Sequence, residues 1–353
     1  MTQPERRHIS ALLLILSAFS GAARAEGLDA AALGVVYNQR DPGSLRVAAY
    51  YAERRGIPRG NLIALELPDR VQLTRGELAA LRAALVRRLP SRVQSLLLIW
   101  QRPYAVECMS VTSAFAAGYR DDFCAPGCAR THLSPLFDAQ GWAPADTAGW
   151  LPAMMLPTGD EKLARRLIDR GVAADDTRPA GTVYLVRTQD SARDVRSAEY
   201  AGAQAVGADR VRIRVVETPI RESYDDVLAY FTGVTRVVEL GRLRFRPGAV
   251  ADHLTSAGGI LDERAQMPVV DWLAQGATGS YGTVSEPCNI LAKFPSPGIF
   301  LDHYLRGETL LEAYWKSVAM PGQGLFVGEP LARPFGNREH SPGRQANGDQ
   351  STH

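Results

Sequence analysis

Residues 95–100 read SLLLIW, an apolar run with no polar position between Ser95 and Trp100. A half-buried strand alternates apolar and polar residues. A strand apolar on both faces needs cover on both, and in a protein of mixed composition this predicts a central parallel strand with helices above and below. The flanking chain agrees. LGVVYN at 33–38 is a second such strand, followed by the polar loop QRDPG and a helix with Leu45, Ala48, Ala49 and Ala52 at helical spacing. Ser44 is expected to cap that helix, and Gly56 and Pro58 to stop it. NLIALEL at 61–67 is the next strand, and Thr74 with Glu77 forms a capping box ahead of Leu78, Leu81 and Leu85, in a helix that Pro90 ends.

Between 103 and 160 the chain is rich in Pro, Gly and aromatic residues, and it reads as a long irregular region holding three of the four cysteines. Alternation then resumes. Helices are expected near 160–170, 191–206, 223–231, 268–274 and 300–318, and strands at 181–188, 210–217, 235–240 and 276–284. This order predicts an α/β protein with a mainly parallel sheet and helices on both faces. Its length suits one large α/β domain or two packed subdomains, and the division expected is an N-terminal subdomain over 26–175 carrying the cysteine-containing loops and a C-terminal one over 176–335. The tail at 336–353 lacks periodicity and large apolar residues and is expected to be disordered.

The N-terminus carries Arg6, Arg7 and His8, an apolar run from Ile9 to Phe19, and Ala23 and Ala25 at the positions a signal peptidase reads. This predicts a signal peptide over 1–25, cleaved after Ala25, and an exported protein, periplasmic or extracellular. The apolar run is shorter than the about 20 residues that span a membrane, so no span is expected after cleavage. Removing Arg6, Arg7, Arg24 and Glu5 from 40 basic and 38 acidic residues leaves the two counts equal. Without a basic run, nucleic acid is not an expected partner.

Cys108, Cys124, Cys128 and Cys288 in an exported chain suggest two disulfides. Pro126 and Gly127 in CAPGC favour a local Cys124–Cys128 bridge, leaving Cys108 for Cys288. A metal site using Cys124, Cys128 and His132 is the competing reading, but the second half-site usual for zinc is missing. No metal and no cofactor is expected.

The chemistry-bearing stretch is ADHLTSAGG at 251–259, where His253, Thr255 and Ser256 stand together. The G-x-S-x-G elbow of a serine hydrolase is absent, because Leu254 and Thr278 occupy the first glycine positions before Ser256 and Ser280. GATGSYG at 276–282 lacks the lysine and spacing of a phosphate loop. On a strand His253 and Thr255 share a face and Ser256 does not, so His253 with Thr255 is the pair whose geometry permits base and nucleophile. The adjacent carboxylates Asp121/Asp122, Asp175/Asp176 and Asp225/Asp226 would point apart and read as solvated or capping groups.

RFRPGAVADHLTSAGG (244–259), GATGSYGTVSEPCN (276–289), YLRGETLLEAYWKSV (304–318) and GQGLFVGEPLARP (322–334) together resemble an uncharacterised secreted bacterial family associated with exosortase-type protein-sorting systems. YYAERRGIPRGNL (50–62), IWQRPYAVECMSVTSAFAAGY (99–119) and 166–197 extend the resemblance over about 33–335. More distantly, Gly307-Glu308-Thr309-Leu310 with Glu312-Ala313, followed by Gly328-Glu329-Pro330, resembles the gingipain group of caspase-fold cysteine peptidases. That resemblance implies a caspase-like fold, with 176–335 as the caspase-like subdomain. Where the group carries a His-Gly, this chain has Thr232-Gly233 in AYFTGV, and where the nucleophilic Cys should close the next strand it has Thr255-Ser256. It therefore implies a chain without the Cys-His dyad, whose strand ends form a redeployed pocket involving Thr232, Gly233, Asp252 and Glu286. The function expected on these grounds is a binding or accessory factor with a protein or polysaccharide partner in the cell envelope. The alternatives are a divergent peptidase-like hydrolase using His253 with Thr255 or Ser256, or a reduced Cys288, and a structural envelope protein.

Overall fold

The computed structural model describes residues 27–124, 127–207 and 209–336. The expected leader at 1–25 and the tail beyond Gly336 lie outside the described residues. The chain opens with β1 (Leu33–Asn38), α1 (Pro42–Arg55), β2 (Leu62–Leu65), β3 (Gln72–Leu73), α2 (Arg75–Val86) and β4 (Ser95–Ile99). The loop-rich stretch holds β5 (Ala105–Val106), β6 (Met109–Ser110), α3 (Val111–Ala117), α4 (Pro144–Ala148) and β7 (Ala153–Leu156). There follow α5 (Glu161–Ala174), β8 (Thr182–Arg187), α6 (Tyr200–Gly207), β9 (Arg212–Glu217), β10 (Tyr224–Gly233) and β11 (Leu243–Leu254). The last elements are α7 (Val270–Gln275), β12 (Gly279–Thr283), α8 (Pro297–Leu305), α9 (Leu310–Ser317) and β13 (Gly324–Gly328).

One ten-stranded sheet runs in the order β2-β1-β4-β7-β13-β12-β11-β10-β8-β9. β4 lies inside it, parallel to β1 and to β7, with Leu96, Leu97, Leu98 and Ile99 fully buried, as a run apolar on both faces requires. Every pairing in this sheet is parallel except β12 with β13. β13, the last strand among the described residues, is therefore the central seam of the sheet, antiparallel to β12 and joined to β7 through Val327↔Met155. The Trp315 ring of α9 stacks on Phe326 with centroids 4.5 Å apart, and its Nε1–H donates to Ala153 O at 3.0 Å, clamping helix, seam and β7 together.

At the end of that seam Glu329 is buried. It accepts from Tyr51 Oη at 2.7 Å and pairs with Arg55, which also pairs with Asp175. Gly171 lets α5 approach this group, since a Cβ there would lie 2.4 Å from a Glu329 carboxylate oxygen.

Several local expectations change. Asp41, not Ser44, caps α1 by accepting from Gly43 N; Ser44 is one turn in and buried, where its hydroxyl accepts from Asn38 N and donates to Ile99 O. Residues 223–231, read as a helix, form β10, because Val227, Leu228, Tyr230 and Phe231 fit both periods and are buried on both faces of a strand. Residues 235–240, read as a strand, are a loop: β10 is already paired on both sides, by β8 and β11, and Val238 is exposed. The expected helix at 300–318 is two helices, broken at Gly307, where φ is +95°. Both β7 and β13 were hidden, the first inside the apparent loop region.

The disulfides also differ from the expected pairing. Cys108 joins Cys124 and Cys128 joins Cys288, with Cα atoms 5.7 and 5.5 Å apart. The local Cys124–Cys128 bridge gives way because Cys128 reaches across to the loop after β12. With all four thiols oxidised, a site using Cys124, Cys128 and His132 has no thiolate to offer. His132 instead faces Asp122 at 3.1 Å.

Non-reducing peptide mapping is expected to recover the 108–124 and 128–288 links. The double variant Cys128→Ser/Cys288→Ser, which opens a closed loop of 160 residues, is expected to lose about 2–4 kcal/mol in denaturant unfolding.

Candidate functional site

Parallel strands place their carboxyl ends on one side of the sheet, and a crevice forms where successive connections leave in opposite directions. The chain reverses in this way at β1, stepping to β2 and returning to β4 on the other side, and again at β8, stepping to β9 and returning to β10. A cleft of about 300 Å³ lies beyond the ends of β8 and β11, lined by Arg193, Leu254, Thr255, Ser256, Glu286 and Asn289 and walled by the Cys128–Cys288 disulfide.

Beneath it, Arg196 enters from the 3-10 turn Asp194–Glu199 that follows β8. Arg196 is buried and pairs with Asp252 of β11; its Nη1 also donates to Thr232 O of β10 at 3.2 Å, and its Nη2 to Pro295 O at 3.1 Å. Burial pushes the Asp252 carboxyl up to about 6, against the pull of the Arg196 guanidinium beside it. Gly233 closes β10 where the Arg193 carbonyl passes so near that a Cβ would lie 1.9 Å from it. Thr188 Oγ1 donates to Gly233 O at 2.6 Å, fixing the same crossing.

His253 is 1 % exposed. Its Nδ1 accepts from Trp272 Nε1–H at 2.9 Å, which leaves the proton on Nε2 to donate to Met267 O, also at 2.9 Å. Both ring nitrogens are thus committed to the fold, and burial pushes the imidazole down to about 4. Thr255 does turn toward the same 266–267 segment as His253, as strand alternation requires, but its hydroxyl donates to Gln266 Oε1 at 2.6 Å and accepts from Arg193 Nε at 3.1 Å. A carboxamide oxygen is not a base, so nothing in contact with this hydroxyl can take its proton. Ser256 lines the cleft, and its carbonyl accepts from Thr283 Oγ1 at 3.0 Å.

Of the residues expected to form a pocket, Glu286 lines the cleft and holds its own loop by accepting from Cys288 N at 2.7 Å. Thr232 and Asp252 are buried, and Gly233 is packed against the Arg193 backbone; none of the three lines the cleft. Sequence reasoning missed Arg193, Gln266 and Trp272. Arg193, held by Asp190 at 3.0 Å, has a usable signal: an Arg in a polar loop directly after a buried strand.

Two measurements follow from this geometry. Arg196→Met leaves the Asp252 charge buried and unpaired and is expected to cost about 3–5 kcal/mol, part of which Arg196→Met/Asp252→Leu recovers. In NMR, the His253 imidazole is expected to hold the Nε2–H tautomer without titrating from pH 8 to about 5. Because its folded value lies below the unfolded one near 6.5, its stabilisation is complete above about pH 6.5 and is lost as pH falls toward 4, up to about 3 kcal/mol. Asp252, whose folded value is raised, acts in the opposite sense over about pH 4–6, so the His253 part is read from the wild-type profile minus that of His253→Phe.

No protein-family model matches the chain, and no curated protein matches it by sequence. Among solved structures it is similar to the complex of the pro- and mature domains of Porphyromonas gingivalis RgpB, with a TM-score of 0.50 and 7% identity, over 85% of this chain and 79% of that one. At that identity the likeness concerns architecture alone: this chain has a gingipain-like, caspase-like α/β fold.

Proposed function

We propose that this protein is an exported, non-catalytic binding or accessory factor of the cell envelope, a caspase-fold chain whose strand-end cleft receives a group from a protein or polysaccharide partner. The observation that carries the reading is the commitment of His253 to Met267 O and Trp272 Nε1–H, which leaves no base for Thr255 or Ser256. With no free cysteine, Cys288 supplies no thiolate either. The cleft still presents one cationic group, Arg193, and one anionic group, Glu286, around Ser256 and Asn289, a polar set suited to a hydrogen-bonding ligand. Export is supported by the leader-like segment at 1–25 and by two disulfides. The link to exosortase-type sorting rests on sequence resemblance, and the division into packed subdomains over 26–175 and 176–335 rests on chain length.

Treatment of the oxidised protein with fluorophosphonate and epoxide probes is expected to give no adduct. An adduct at Thr255, Ser256 or Cys288 that disappears in His253→Ala would make the protein a hydrolase. A photo-crosslinking residue in place of Asn289 is expected to capture an envelope component in the producing cell, and one in place of Val238, exposed outside the cleft, is not. Equal capture, or none, would favour a purely structural role.

A further inference from the structure

At the opposite end of the same strands is a second, larger hollow of about 620 Å³ that the cleft reading leaves unused. Its walls are the loop ahead of β8, the starts of β9 and β10, an irregular part of β11 and the end of α8. They carry Arg178, Arg210, Arg212, Arg246 and Arg306 against one carboxylate, Asp226.

The local folding explains how these arginines meet. The β10–β11 ladder runs through Val227↔Phe245 and resumes only at Ala229↔Val250, so the intervening residues of β11 bulge outward with Gly248 at φ +82° and Arg246 exposed. Arg212 begins the edge strand β9, with its side chain 72% exposed. Asp226 is already engaged, accepting from Thr182 Oγ1 at 2.7 Å and Tyr184 Oη at 2.9 Å, and lies 3.9 Å from Arg212. Asp302, just outside the lining, pairs with Arg306 and, at 3.5 Å, with Arg210, so five arginines stand against two carboxylates. The lining therefore keeps a positive excess in a chain whose overall charge is close to balanced. Like charges are gathered in one concavity rather than spread over the surface.

We propose that this hollow binds a small polyanion carrying two or more carboxylate or phosphate groups. Guanidinium forks pair with such oxyanions through two parallel hydrogen bonds, and a site with several of them selects for multiple charge. Phe335 and Leu305 provide an apolar wall for the carbon body of the ligand, and the volume is that of a small-molecule site.

The test is calorimetric titration of the mature oxidised chain with tri-galacturonate and, separately, tripolyphosphate, at low salt and at about 0.15 M. At least one is expected to bind, more weakly at the higher salt, and which one binds identifies the oxyanion. Arg212→Gln/Arg246→Gln is expected to weaken binding by about tenfold or more, while Arg87→Glu, at the exposed residue just after α2, leaves it unchanged. Both substituted arginines are exposed, and an unaltered thermal midpoint checks the fold. Should the double variant lose stability, Arg246→Gln alone serves, with a smaller loss of the same sign. Failure of both probes to bind at low salt, or equal loss in Arg87→Glu, overturns the proposal.

Discussion

The buried pair of Arg196 with Asp252 is the constraint on which the cleft end of the sheet depends. One guanidinium holds the ends of β10 and β11 and the segment ahead of α8, so three stretches distant in sequence take their relative positions from it. A carboxylate and a guanidinium stripped of water are costly to bury, and in return the geometry is hard to satisfy in any other register. One Asp252 oxygen and the Arg196 Nε meet no partner among the described residues, which fits the upward push on the acid.

Near this pair, the polar side chains at the end of β11 and just after it are held by bonds of structural kind. Trp272, Met267 and Gln266 saturate His253 and Thr255 from one side, and Arg193 adds a cationic contact from the other. A reactive centre needs a group left partly unsatisfied until substrate arrives. Here the polar atoms of His253 and Thr255 are engaged by neighbouring residues, and Arg193, Ser256, Glu286 and Asn289 line the cleft.

Much of the architecture was legible in the sequence, for identifiable reasons. SLLLIW declares a doubly covered strand because nothing else buries both faces, and the Thr74–Glu77 box marks the start of α2 because the two side chains cap each other's backbone. β10 was not legible, since YDDVLAYFTG satisfies the helical and the extended period alike and only pairing with β8 and β11 decides. The disulfide pairing escaped because it is set by where the loop after β12 passes, which cysteine spacing does not encode. His253 was visible as a candidate, but its tautomer and its silence depend on residues 14 and 19 positions further along that fold back onto it. The arginine-lined hollow had no motif at all, being assembled from six separate stretches of chain.

The position of β13 has consequences for how the molecule comes into being. A strand made late, after the strands on both sides of it, but lodged at the middle of the sheet means that β7 and β12 expose unpaired edges until residues 324–328 have emerged. Open edges of this kind recruit other chains as readily as their own partner. The native sheet is therefore closed by its C-terminal segment acting as a keystone, and contacts of such long sequence separation slow that closure. A chain truncated ahead of Gly324 would be left with two half-sheets rather than a shortened protein, so quality control has a simple physical cue in the unpaired edges.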